Sequence, residues 1–194
     1  MNVRHFAWLA PFALLACSPD QQPPAQPPLE GARIGGAFTL TDQDGKRVSD
    51  TAFAGKYRIM YFGYTFCPDV CPVDVQNLAA GLKLLEKSDP ALAQRVVPIF
   101  VTIDPERDTP AVLKQFVGAF HPRMVGLTGS PEEIAKVAKE FAIFYQRGKG
   151  TPDGYLMDHS RQAYLMSPEG KPLALLPQDG TPQAVADEIK RWVK

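Results

Sequence analysis

Arg58-Ile59-Met60-Tyr61-Phe62-Gly63-Tyr64-Thr65-Phe66-Cys67-Pro68-Asp69-Val70-Cys71-Pro72 decides how this chain is read. The apolar run from Ile59 to Phe62 predicts a strand over 58–63. That strand empties into two thiols held in one five-residue loop. Beyond the loop, Val75, Leu78, Leu82 and Leu85 recur at helical spacing. Pro72 suits a first helical position and disfavours a helical conformation at Cys71, so the helix is expected to begin near Pro72. Both sulfurs would then sit at its positive end, which favours thiolate, the form that attacks disulfides and binds metal.

Working outward, Phe38 to Thr41 and Lys46 to Val48 flank Asp42-Gln43-Asp44-Gly45, a hairpin with glycine at its turn. Arg95 to Ile103 is almost wholly apolar and β-branched, as in a central strand buried on both faces, with Pro98 a local irregularity. Thr109-Pro110, Ser130-Pro131 and Thr181-Pro182 each place a hydroxyl at N-cap and proline at the first helical position. Ser130 with Glu133 also forms a capping box. Short strands are expected at Val125 to Leu127, Phe144 to Gln146, Gln162 to Met166 and Leu173 to Leu176, with a turn at Ser167 to Lys171. The order is a hairpin, then β-α-β-α-β-α, then a hairpin and a last helix. It predicts an α/β domain with a central mixed sheet flanked by helices and an N-terminal hairpin extension. A cysteine pair at a strand-to-helix junction makes that sheet thioredoxin-like.

The first residues read as an export signal over 1–16. Arg4 supplies positive charge and Phe6 to Leu15 an apolar stretch too short to span a bilayer. Leu14-Leu15-Ala16-Cys17 resembles a bacterial lipobox, which makes Cys17 a lipidation site and places the protein on the periplasmic side of the cell envelope, anchored to a membrane. Simple cleavage after Ala16 and an uncleaved anchor are the alternatives. Export to an oxidising compartment would let a cysteine pair persist as a disulfide. Residues 17–30, rich in proline and glutamine, read as an extended linker, and 31–194 as one domain. The chain carries 21 basic and 21 acidic residues with no basic block, so nothing points to nucleic acid.

Cys67 and Cys71 read as a redox-active pair or as two ligands of a soft metal. A structural disulfide would close too short a loop to stabilise much, about 2 kcal/mol. His159 is the candidate third ligand, although a lone histidine is more often a satisfied surface or core residue. Of the other two, His5 leaves with the signal and His121 ends a helix. Two thiolates and an imidazole favour Cu(I). Structural zinc wants four protein ligands and an iron–sulfur cluster usually four cysteines, and neither set is available.

Three strings resemble the SCO/SenC copper proteins: Tyr64 to Pro72, Val101-Thr102-Ile103-Asp104-Pro105-Glu106-Arg107-Asp108-Thr109-Pro110, and Asp158-His159-Ser160. The likeness runs from about Gly35 to the C-terminus. It implies a thioredoxin fold in which Cys67, Cys71 and His159 bind one copper, as Cu(I) or Cu(II). It implies delivery of that copper to the dinuclear centre of cytochrome c oxidase subunit II, accompanied by reduction of that centre's cysteines. Other copper carriers and thiol reductases are further partners. Asp104 and Asp108 are expected around the site or against a partner, not as ligands. A helix-terminal carboxylate for Asp108 and a turn at Asp104-Pro105 are the plainer alternatives.

The rival reading is a thiol–disulfide oxidoreductase without obligatory copper transfer. Such reductases usually carry C-x-x-C, one residue shorter than here. A peroxidase reading fits less well, since Thr65-Phe66-Cys67 is not Thr-x-x-Cys.

Overall fold

The computed structural model of the chain describes residues 26–151 and 154–194. The expected signal, Cys17 and most of the linker lie outside the described residues. Pro27 to Gly31 forms a turn that is already docked: the Leu29 amide donates to the Leu173 carbonyl at 3.0 Å.

Elements follow in the order β1 (Thr39–Asp42), β2 (Arg47–Ser49), a 3-10 turn (Asp50–Phe53), β3 (Tyr57–Gly63), α1 (Val70–Ser88), α2 (Pro90–Ala93), β4 (Val96–Thr102), α3 (Pro110–Phe120), β5 (Val125–Thr128), α4 (Pro131–Glu140), β6 (Tyr145–Thr151), β7 (Gly154–His159), β8 (Ala163–Met166), β9 (Pro172–Leu176) and α5 (Pro182–Trp192). Seven strands form one mixed sheet in the order β2-β1-β5-β4-β3-β8-β9. β3, β4 and β5 run parallel, while β1 and β8 join antiparallel. The N-terminal hairpin therefore extends the sheet at the β5 side. β4 runs through Pro98, opposite Ile59, before β5 joins at Ile99.

Alternation along β3 covers both faces. On one, Tyr61 packs on Phe100, which meets Phe116 of α3. On the other, Phe62 meets Phe141 at the end of α4. All seven residues of β3 are buried, as a strand covered on both faces requires. The three threonine and serine caps form as expected: Thr109, Ser130 and Thr181 accept from Val112, Glu133 and Ala184 amides, and the Ser130–Glu133 box closes.

Two differences from the sequence reading bear on function. α1 starts at Val70, two residues before Pro72, so Cys71 is inside its first turn. First-turn amides have no intrahelical partner, so Pro72 removes no bond there, and the bias it puts on Cys71 is overridden. Second, the short strand expected near Phe144 is one arm of a separate two-stranded ribbon, β6–β7, outside the main sheet. Its register places Tyr145 opposite His159. Among the described residues no helix is long and apolar enough to cross a membrane.

Candidate metal centre

The sulfurs are positioned from the core. β3 ends at Gly63, and a Cβ there would lie 3.2 Å from Cys71 Sγ and 2.9 Å from the Tyr61 ring. Glycine thus lets the helix bring Cys71 against the sheet, where it is fully buried; Cys67, one turn earlier, is part-exposed. No side chain caps α1. The Cys71 amide instead points at Cys67 Sγ, 3.5 Å away.

This arrangement splits the pair. The Cys71 side chain and the Cys71 and Asp69 amides hold Cys67 down at about 5 against the opposing effect of burial. Burial pushes Tyr64 up to about 12, so its hydroxyl keeps its proton and adds to the pull on Cys67. Cys71 moves the other way, because the neighbouring Cys67 sulfur and burial both disfavour a second thiolate. At neutral pH the pair is one thiolate and one thiol.

β7 brings His159 to the same place across 88 residues of sequence: its Nε2 lies 3.2 Å from Cys71 Sγ. Nδ1 lies 2.8 Å from the Ser160 carbonyl, which can only accept, so Nδ1 donates there and Nε2 is the nitrogen left facing the sulfur. The Tyr64 ring meets the imidazole edge-on at 5.9 Å. Asp158 is exposed and plays no part in holding the imidazole.

Among the described residues no three His, Cys, Asp or Glu side chains already form a ligand cage. The donors are instead bonded to one another, and a metal would replace those bonds. The donor set fits a soft ion: one thiolate formed, one thiol with a single proton to lose, and one imidazole whose Nε2 faces the sulfur.

Asp108 and Asp104 are both buried, which leaves neither a surface for a partner in this structure. Asp108 accepts from the Thr65 amide at 3.0 Å, the Thr65 hydroxyl at 2.6 Å and the Thr102 hydroxyl at 2.6 Å, clamping the entry to the cysteine loop. Burial pushes its carboxyl up. Asp104 accepts from Arg107 Nε at 2.5 Å and from the Tyr155 hydroxyl of β7 at 2.8 Å.

Behind Cys71 lies a group that the sequence reading missed. Asp74, fully buried, accepts from the Tyr61 hydroxyl at 2.8 Å and from both Arg161 Nε, at 3.1 Å, and Arg161 Nη2, at 2.7 Å. A signal was present, since Asp74 falls on the apolar stripe of α1 with Leu78, Leu82 and Leu85. Arg107 and Tyr155 were also missed. His121, expected at a helix end, is buried there and bonds the Arg123 amide through Nδ1, far in role from any site.

The SCO1/SenC family model matches residues 26–194. The chain is 46% identical over 138 residues to "Protein SCO1 homolog 1, mitochondrial" of Arabidopsis thaliana, covering 71% of this chain and 40% of that relative's length. It is 42% identical over 159 residues to "Protein SenC" of Rhodobacter capsulatus, covering 81% of this chain and 70% of that protein. The fold superposes on Arabidopsis thaliana ScoI with copper bound at a TM-score of 0.76, with 40% identity over 81% of this chain and 97% of that one. A SCO1/SenC family lipoprotein from Bacillus anthracis aligns at 0.69, with 26% identity over 83% and 95%. BsSco, a Sco family member of the cytochrome c oxidase assembly proteins in which a disulfide switch was identified, aligns at 0.62, with 29% identity over 80% and 90%. The chain belongs to the SCO1/SenC family, and its mixed seven-stranded sheet with flanking helices is the thioredoxin-like fold of the Sco proteins.

Proposed function

We propose that this protein binds one copper per chain through Cys67, Cys71 and His159 and delivers it to the dinuclear copper centre of cytochrome c oxidase subunit II. The observation that carries the reading is the 3.2 Å approach of His159 Nε2 to Cys71 Sγ. A purely structural pair of cysteines has no need of a distant imidazole with its Nε2 facing one sulfur. Copper bound in a related ScoI structure supports the choice of metal. The ion is cargo: two sulfurs suit Cu(I), and the nitrogen widens the site toward Cu(II). Copper titration of the reduced full chain tests this. One equivalent is expected, lost when Cys67 and Cys71 are oxidised to a disulfide, because both thiolates disappear. Binding that survives oxidation unchanged would place the ligands elsewhere.

A second reading, thiol–disulfide exchange with the client's cysteines, is favoured by the split pair. Cys67 is a part-exposed thiolate fit to attack, and Cys71 is a buried thiol placed to resolve the mixed disulfide. The two activities combine naturally, since a reduced target is what accepts copper. Other copper carriers and thiol reductases would load and reduce the protein in turn.

The protein works as a lipid-anchored lipoprotein on the periplasmic side of the bacterial envelope. This rests on the leader, on Cys17 and on a lipoprotein relative of the same family. Cys17→Ala should move it from the membrane pellet to the soluble fraction. Retention in the pellet would mean another anchor.

A further inference from the structure

Among the described residues, the ribbon that carries His159 shares no strand pairing with the main sheet. Two-stranded hairpins are marginal alone, so something must fasten it. We infer that Arg107 is a positioning residue that locks the β6–β7 ribbon onto the cysteine loop and so sets the place of His159; the inference rests on the copper reading above.

Arg107 touches every part of the junction. Its Nε binds Asp104 at 2.5 Å and its Nη1 donates to the Tyr155 carbonyl of β7 at 2.8 Å. Its guanidinium lies 3.6 Å from the Tyr155 ring centroid, 4.9 Å from Phe66 and 5.6 Å from Tyr64. Phe66 and Tyr64 belong to the cysteine loop, and Tyr155 stands four residues before His159 on the same strand face. Asp104 closes the triangle by also accepting from the Tyr155 hydroxyl. Among the described residues Nη2 is buried with no hydrogen-bond acceptor, so the aromatic rings supply much of what surrounds the cation. Within the ribbon, Arg147 of β6 repeats the motif in a more exposed place: its guanidinium lies 3.6 Å from the Tyr155 ring centroid and pairs with Glu106 at 3.3 Å. A planar fork with delocalised charge can satisfy a carboxylate, a carbonyl and three rings together, whereas lysine cannot. No hydrogen bond joins Arg107 to Cys67, Cys71 or His159 among the described residues, so its effect must pass through the ribbon and the loop rings it holds together.

The test uses the full, reduced, metal-free chain with Arg107→Met, alone and combined with His159→Ala. Two readouts are taken: Cu(II) affinity with its electron-spin nitrogen signature, and amide exchange across the ribbon against β3 and β4. Arg107→Met should weaken Cu(II) by about tenfold, as loss of an orienting partner does, and alter the nitrogen signature. Ribbon amides should exchange faster while β3 and β4 stay protected. In the His159→Ala background the same change should cost no further affinity. Parental affinity and ribbon protection in Arg107→Met, with His159→Ala still impaired, would overturn the positioning role and leave the copper reading intact. Faster exchange across the whole sheet would overturn it too, by making Arg107 a general fold residue. If His159→Ala binds Cu(II) like the parent, the histidine ligand fails, and ribbon exchange still decides whether Arg107 fastens the ribbon. Should Arg107→Met not fold, Arg107→Lys, which keeps stem and charge but not the fork, carries both readouts.

Discussion

The two halves of the site are built differently. Cys67 and Cys71 stand where β3 meets α1, against Gly63 and Tyr61, with the carboxylate of Asp108 clamping the loop entry. His159 stands on a two-stranded ribbon tied down by side chains, Arg107 and Tyr155, and closed at its base by the Ser160–Phe144 bonds, at 2.9 Å from the Ser160 amide and 3.1 Å to the Ser160 hydroxyl. The sulfur half inherits the rigidity of the core. The nitrogen half has the thinner apolar support, Tyr145 and Met157 packing part-buried against the core, and local stability follows buried apolar contact. On the proposed reading, a copper carrier gains from such a division, with the sulfurs as the fixed ligands and the imidazole as the one that opens.

The largest expected effect lies on the sulfur side. Cys71→Ala should lose copper binding beyond about a hundredfold, the upper end of what orienting partners alone cost, while Tm stays near parental. Retained tight binding would erase the distinction between the halves. Next comes the clamp. Asp108→Ala orphans three donors near the core and should cost about 3 kcal/mol, roughly 6–12 °C in Tm by thermal melt. Asp108→Asn, which keeps an acceptor, should cost less. A stability loss no larger than that of a surface change would show the loop is not core-held. Within the sulfur half, alkylation of the metal-free protein should follow a thiolate with midpoint at about pH 5, at Cys67 alone. The thiolate forms as pH rises through that value, so reactivity is lost below it and is already full at neutral pH, unlike an ordinary thiol. A midpoint near 8–9, or equal labelling of Cys71, would contradict the split pair. The smallest effect belongs to the ribbon: Tyr155→Phe keeps the ring under Arg107 and removes only the hydroxyl bond to Asp104. It should cost about 1 kcal/mol at most and weaken copper by only a few-fold.

That division also explains what the sequence made legible. β3, β4 and the three proline-started helices were readable because burial on two faces and hydroxyl caps leave local marks, as at Thr109, Ser130 and Thr181. The start of α1 was misplaced by two residues because the bias of Pro72 is weaker than the packing that pulls Cys71 onto Gly63. The ribbon was read only as a short strand. Gln146-Arg147-Gly148-Lys149-Gly150 shows no apolar alternation, because its support is cationic and aromatic, not a buried face. Cys67 and Cys71 announced themselves by proximity. His159 stood out only beside a family resemblance, since only the fold brings it to Cys71. Arg107 lay in plain view within Asp104 to Pro110, but the sequence gives no sign of the three rings it meets.

The central claim is that one copper is shared between the core-held sulfurs and the ribbon-held nitrogen. Copper K-edge X-ray absorption of the reduced full chain loaded with one equivalent of Cu(II) tests it most directly, with His159→Ala beside the parent. The account predicts two sulfur neighbours and a histidine nitrogen in the parent, and loss of that nitrogen's imidazole scattering in the variant with both sulfurs kept. Identical spectra from the two proteins, or a parent copper without two sulfurs, would contradict it.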